Sequence, residues 1–148
     1  MTKLPHDHGQ HMELEFDHMP RVEDFQIVSE IFKQLCDGNR IRIFWLLCHC
    51  EECVINLSSM VGMSSPAVSH HLKQLKASGL IISRREGKEV YYKASDGQQA
   101  QLLHHMIEKM VEISCPSKLI IFTLILSRRK LNAGSNNTPR PGKGYTFY

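Results

Sequence analysis

The sequence predicts a mainly α-helical domain with one small β-hairpin, in the order α-α-α-α-β-β-α. Five segments between Val22 and Ser114 read as helices, two of them short and parted by a tight turn at Gly62. One pair of β-prone runs flanks Glu86-Gly87-Lys88. A chain of 148 residues with 42% hydrophobic content suits a single domain with a modest core and tails.

Residues 1–20 mix histidines with acids and show no apolar period, which reads as a flexible His-rich arm. From Val22 to Cys36, Phe25, Val28, Phe32 and Leu35 recur at helical spacing beside Ile27 and Ile31, giving an amphipathic first helix. Asp37-Gly38-Asn39 supplies a stop and a new cap, and Ile41 to Cys48 reads as a more buried second helix. Val54 to Val61 is a short third helix closed by Gly62. A fourth runs from Pro66 to Ser78, with Ser65 as its cap and Pro66 in the first turn, where a missing N–H costs nothing. The hairpin Ile81–Arg85 and Val90–Lys93 follows, with Gly87 at its tip. Gln98 to Ser114, with Leu103, Met106, Met110 and Ile113 on one face, forms the fifth helix before Pro116. Two short helices and a following hairpin are the winged helix-turn-helix arrangement, spanning residues 21–115.

Residues 116–148 are basic and partly apolar. Leu119–Leu126 is far shorter than the ~20 residues that cross a bilayer, and the last part reads as disordered. This tail carries six basic side chains and no acid, so the net charge of +3 leaves −3 on residues 1–115. A nucleic-acid reading therefore rests on a local patch. Between residues 70 and 93, Lys73, Lys76, Arg84, Arg85, Lys88 and Lys93 stand against Glu86 and Glu89. With Val68, Leu72 and Leu75 inward, the fourth helix turns Pro66, Ser69, His70, Lys73 and Gln74 outward, and Ser64 and Ser65 open it. Small donor-rich side chains at a helix N-terminus suit the major groove, and Arg84, Arg85 and Lys88 suit phosphates or a minor groove beside the wing.

The stretch VINLSSMVGMSSPAVSHHLKQLKASGLIISRREGKEVYYKAS resembles the ArsR/SmtB family of metal-responsive repressors. LCDGNRIRIFWLL is similar to that family's second-helix signature and SHHLKQLKASGLI to its recognition helix, and the likeness runs from about Val22 to Cys115. The resemblance implies a homodimer held by the first and fifth helices. It also implies binding to palindromic operator DNA that is released when an inducer binds.

The inducer reading centres on Cys48-His-Cys50-Glu-Glu-Cys53, which is poor disulfide spacing and better ligand spacing. Cys53 falls where the family's third-helix metal motif places its first cysteine, whereas Ile55 stands at the second. Cys53 at a helix N-terminus favours a thiolate, and a loop could bring Cys50 and Cys48 to it. By the same likeness, His6, His8 and His11 of the arm would complete a tetrahedral site across the dimer for Zn(II), Cd(II) or another thiophilic ion. The family's fifth-helix site, Asp-x-His with two later ligands, is broken here: Asp96 is kept, but Gln98, Lys109 and Glu112 follow. His104, His105 and Glu108 offer a different cluster. The alternatives are a repressor of the same fold that senses thiol oxidation or reactive sulfur, with Cys115 as a partner thiol, and a metal-handling or protein-interaction module that does not bind DNA. Nothing sets a nucleophile beside a base and an orienting acid, so no enzyme is predicted. With no secretory signal at its start, the chain is expected in the reducing cytoplasm, without a membrane span.

Overall fold

The computed structural model describes residues 5–6 and 18–116; His8, His11 and the tail from 117 onward lie outside them. The element order is α1 (Val22–Lys33), α2 (Gly38–His49), β1 (Glu52–Cys53), α3 (Val54–Val61), α4 (Ser65–Ala77), β2 (Ile81–Glu86), β3 (Glu89–Ala94) and α5 (Gln98–Ser114). No helix among the described residues is long and apolar enough to cross a membrane.

Each boundary has a local cause. Asp37 caps α2 by accepting the Arg40 backbone N–H at 2.8 Å, which holds its carboxyl below the ordinary value of 3.8; the neighbouring His71 and Arg40 charges act in the same direction. α1 ends at Lys33, not Cys36, because the chain tightens into turns in which Leu35 N–H reaches Phe32 O and Cys36 N–H reaches Lys33 O. α4 begins one residue earlier than its sequence suggests. Ser64 is the cap, accepting from Ala67 N–H at 3.4 Å, and Pro66 still lies where no N–H is needed. Between α3 and α4, Gly62 adopts φ 69°, a left-handed stop that a side chain would strain.

The wing differs more from what its sequence suggests. β1, only two residues long and too short to show alternation, pairs antiparallel with β3 through Glu52↔Tyr92 and Cys53↔Tyr91. The expected hairpin is thus a three-stranded sheet of order β1-β3-β2. Its turn is Gly87-Lys88, with Gly87 at φ 61° in the first central position, as a type II′ hairpin demands. Glu86 and Glu89 face each other across the turn, a repulsion offset by Arg84 beside Glu86 and by the Tyr91 hydroxyl donating to Glu89 at 2.7 Å.

The core gathers Ile43, Phe44 and Leu47 of α2, Leu57 and Val61 of α3, and Val68, Leu72 and Leu75 of α4. Leu80 and Ile81 join from the start of the wing, and Ala100, Leu103 and Ile107 from α5. Met110 and Ile113, on the same face of α5 as Leu103, are exposed, and α1 buries no residue fully. Leu72 is 1% exposed, so Leu72→Ala should cost about 2–5 kcal/mol in urea unfolding. Asp37→Ala should lower the melting temperature at neutral pH. Because the folded carboxyl titrates below 3.8, its stabilisation is present above that value, and the deficit should shrink as the pH falls through the folded one.

Candidate nucleic-acid interface and sensing site

The buried stripe of α4 determines what its other face presents. Ser64, Ser65, Pro66, Ser69, His70 and Lys73 are all exposed. They are not equally available. Ser64 caps the helix, and the Ser65 hydroxyl lies 3.2 Å from that of Ser58 on α3. Gln74 is half-buried and its side-chain oxygen accepts from Arg40 of α2, so it helps to seat the helix instead of projecting from it. Ser69, His70 and Lys73 remain as the outward set.

The wing sorts its cations likewise. The Arg84 guanidinium grips Glu51 through Nε at 2.6 Å and Nη2 at 3.0 Å, meets Glu86 at 2.5 Å and lies over the Tyr91 ring at 5.0 Å. The hydrogen bonds it donates to Glu51, then to Glu86, raise its pKa further above the ordinary value. Arg84, although exposed, is thus engaged within the wing, and Arg85 and Lys88 are its other outward cations. Lys76 Nζ donates to Ser83 Oγ at 2.6 Å, so α4 and the wing are presented together.

The three clustered cysteines lie in α2 (Cys48), at its C-cap (Cys50) and in β1 (Cys53). Cys48 and Cys50 are half-buried and Cys53 is buried at the start of α3. Burial, then the charges of Glu108 and Cys50, pushes the Cys48 thiol up to about 12. Burial, then Glu52, raises Cys50, whose Sγ donates to Leu46 O at 3.2 Å. Both are protonated thiols with little nucleophilic character. Among the described residues the only trio of donor atoms lying within 4.8 Å of one another is His49, His104 and Glu108, and not the cysteines. His104 Nε2 lies 3.1 Å from His49 Nε2 and 3.2 Å from Glu108 Oε1, which is 3.7 Å from His49 Nε2. His105 is exposed and outside the trio, so the cluster expected on α5 alone is completed by α2 instead. Burial, then His104, lowers the His49 pKa against the opposing pull of Glu108, favouring the neutral ring. The i, i+4 pair on α5 was visible in the sequence. His49, 55 residues away, was not. His6 is exposed.

A short helix pair with a basic, sheet-backed wing defines a winged helix-turn-helix DNA-binding domain. The model of "Bacterial regulatory protein, arsR family" matches residues 37–83. The chain is 32% identical over 91 residues to the transcriptional repressor SmtB homolog of Synechocystis, covering 62% of this chain and 69% of that protein. It belongs to the ArsR family, whose members are regulators and not enzymes.

It is also similar to the regulator KmtR of Mycobacterium tuberculosis, 34% identical over 77 residues, and to the cadmium resistance regulatory protein CadC homolog of Staphylococcus aureus, 38% over 77 residues. These matches cover 52% and 51% of this chain, and 59% and 64% of those proteins. Among solved structures, the homodimeric winged helix-turn-helix domain Mb0332 of Mycobacterium bovis superposes with TM-score 0.54 at 26% identity, covering 76% of this chain and 92% of that one. HlyU of Vibrio cholerae gives 0.55 at 27%, covering 64% and 99%.

Iodoacetamide at pH 8 should label exposed Cys36 well before Cys48, whose rate should keep climbing toward its raised pKa of about 12. Peptide mapping by mass spectrometry measures the order.

Proposed function

We propose that this chain is a dimeric transcriptional repressor of the cytoplasm that binds a palindromic operator and releases it when a thiophilic metal ion such as Zn(II) or Cd(II) binds. The observation that carries the DNA half is the shared outward surface of α4 and the wing, with Ser69, His70 and Lys73 beside Arg85 and Lys88. Side chains at the groove edge read bases and phosphates, while Arg40 and Arg84 keep the two elements in place.

Dimerisation is supported by the apolar surface left open on α1 and α5. Val22, Phe25 and Ile27 of α1 are 80%, 51% and 62% exposed, and Leu102, Met110 and Ile113 of α5 are 60%, 60% and 74% exposed. Covering such surface is the ordinary drive for subunit association, and a relative of known structure is named a homodimer. Metal release is supported by relatives named for cadmium resistance and as an SmtB homolog, and by Cys53 at the N-terminus of α3. On this reading Cys53, Cys50 and Cys48, with His6, His8 and His11 of the partner's arm, close the site in the dimer. Five unpaired thiols suit a reducing compartment.

Gel-shift titrations with DNA from upstream of its own coding sequence test both halves. Lys73→Ala should weaken binding and reduce the slope of log K against log salt by about 1 for each phosphate it no longer neutralises, while Arg84→Ala should leave that slope unchanged. Cd(II) should release wild-type protein, and Cys53→Ser should blunt the release. Binding insensitive to both Lys73→Ala and salt would overturn the DNA reading. Binding indifferent to Cd(II) and Zn(II) would overturn metal sensing.

A further inference from the structure

We propose that His49, His104 and Glu108 form a second kind of metal site, a two-imidazole, one-carboxylate site for a divalent ion of the Zn(II) or Co(II) class that clamps the end of α2 to the middle of α5. Zinc–nitrogen and zinc–oxygen bonds of about 2.0–2.1 Å in a tetrahedron place ligand atoms roughly 3.3 Å apart. The three edges of the donor triangle, 3.1, 3.2 and 3.7 Å, straddle that figure. In the metal-free state one Nε2–H lies between the two ring nitrogens, since one must donate to the other. A divalent ion bound by both rings takes the place of that proton.

The donors are held by structure that does not depend on the ion. His104 and Glu108 lie one turn apart on α5, whose buried Leu103 and Ile107 hold that face toward the body of the domain. His49 ends α2 with its ring 4.5 Å from that of Trp45, and the two imidazoles meet edge to face at 4.8 Å. The histidine side chains are 20% and 21% exposed and the Glu108 side chain 40%, so the pocket is shielded yet open to an entering ion on the Glu108 side. Three protein donors leave one tetrahedral position for water. Two nitrogens and an oxygen favour a borderline ion over the softer ions that thiolates select.

The consequence for DNA binding rests on the metal-responsive reading above. α2 holds the site at one end, and at the other Arg40 and Asp37 touch Gln74 and His71 of the recognition helix. An ion that fixes α5 against α2 therefore acts on the element that seats α4.

Co(II) titration of the full-length apoprotein is the test. The visible d–d absorption of tetrahedral Co(II) should persist in a Cys50→Ser/Cys53→Ser background, without thiolate-to-metal charge transfer in the near ultraviolet. It should be lost in His104→Gln and in Glu108→Gln and retained in His105→Gln. Zn(II) affinity by chelator competition should fall at least about tenfold in the first two variants. Far-UV circular dichroism checks their folding, and His49→Gln, at a helix end, serves where α5 variants unfold. Unchanged Co(II) affinity in the folded His49→Gln/His104→Gln double variant would overturn the site. So would loss of the d–d absorption in the Cys50→Ser/Cys53→Ser background, which leaves the repressor reading intact. Co(II) bound by the trio without any change in operator affinity supports the site and overturns its regulatory role alone.

Discussion

Burial of α2 is the constraint on which the other elements depend. Ile43 and Phe44 are wholly enclosed, and the helix touches α3, α4, α5 and β3. Its polar side chains complete what its apolar face begins. Arg42 donates to Val61 O at 3.1 Å and Met60 O at 3.0 Å, satisfying carbonyls at the end of α3. Arg40 does the same for the end of α1 through Lys33 O and Gln34 O, and reaches α4 with its remaining nitrogen. A helix that caps two neighbours and anchors a third sets the angle at which the recognition helix is offered.

Electrostatics follow the same economy. The body is acidic overall, so a DNA surface exists only where bases are gathered and not consumed internally. Arg84 is consumed. Its double contact with Glu51 stiffens the wing across the sheet, while the exposed tip keeps Arg85 and Lys88. Rigid presentation of a few cations, more than total charge, is what lets a small domain hold a duplex in one register.

The candidate donors divide by type. Cys48 and Cys50, at and just after the end of α2, are held as protonated thiols, and Cys53 is buried at the start of α3. The histidine and carboxylate donors are already convergent, because their positions are imposed by the packing of α5 on α2.

Helix existence, the buried stripe of α4 and the turns at Gly62 and Gly87 were legible in the chain, since each depends on residues close in sequence. The stop at Gly62 and the two-residue turn at Gly87 need a left-handed backbone that glycine adopts without strain. What tertiary structure alone decided was pairing between distant residues: β1 with β3, Arg84 with Glu51, Gln74 with Arg40, and His49 with His104. Periodicity reports which face of a helix is apolar and is silent on which polar group stands opposite. Gln74 and Arg84 thus find internal partners that periodicity could not name, and a lone histidine at a helix end lies within reach of two more donors.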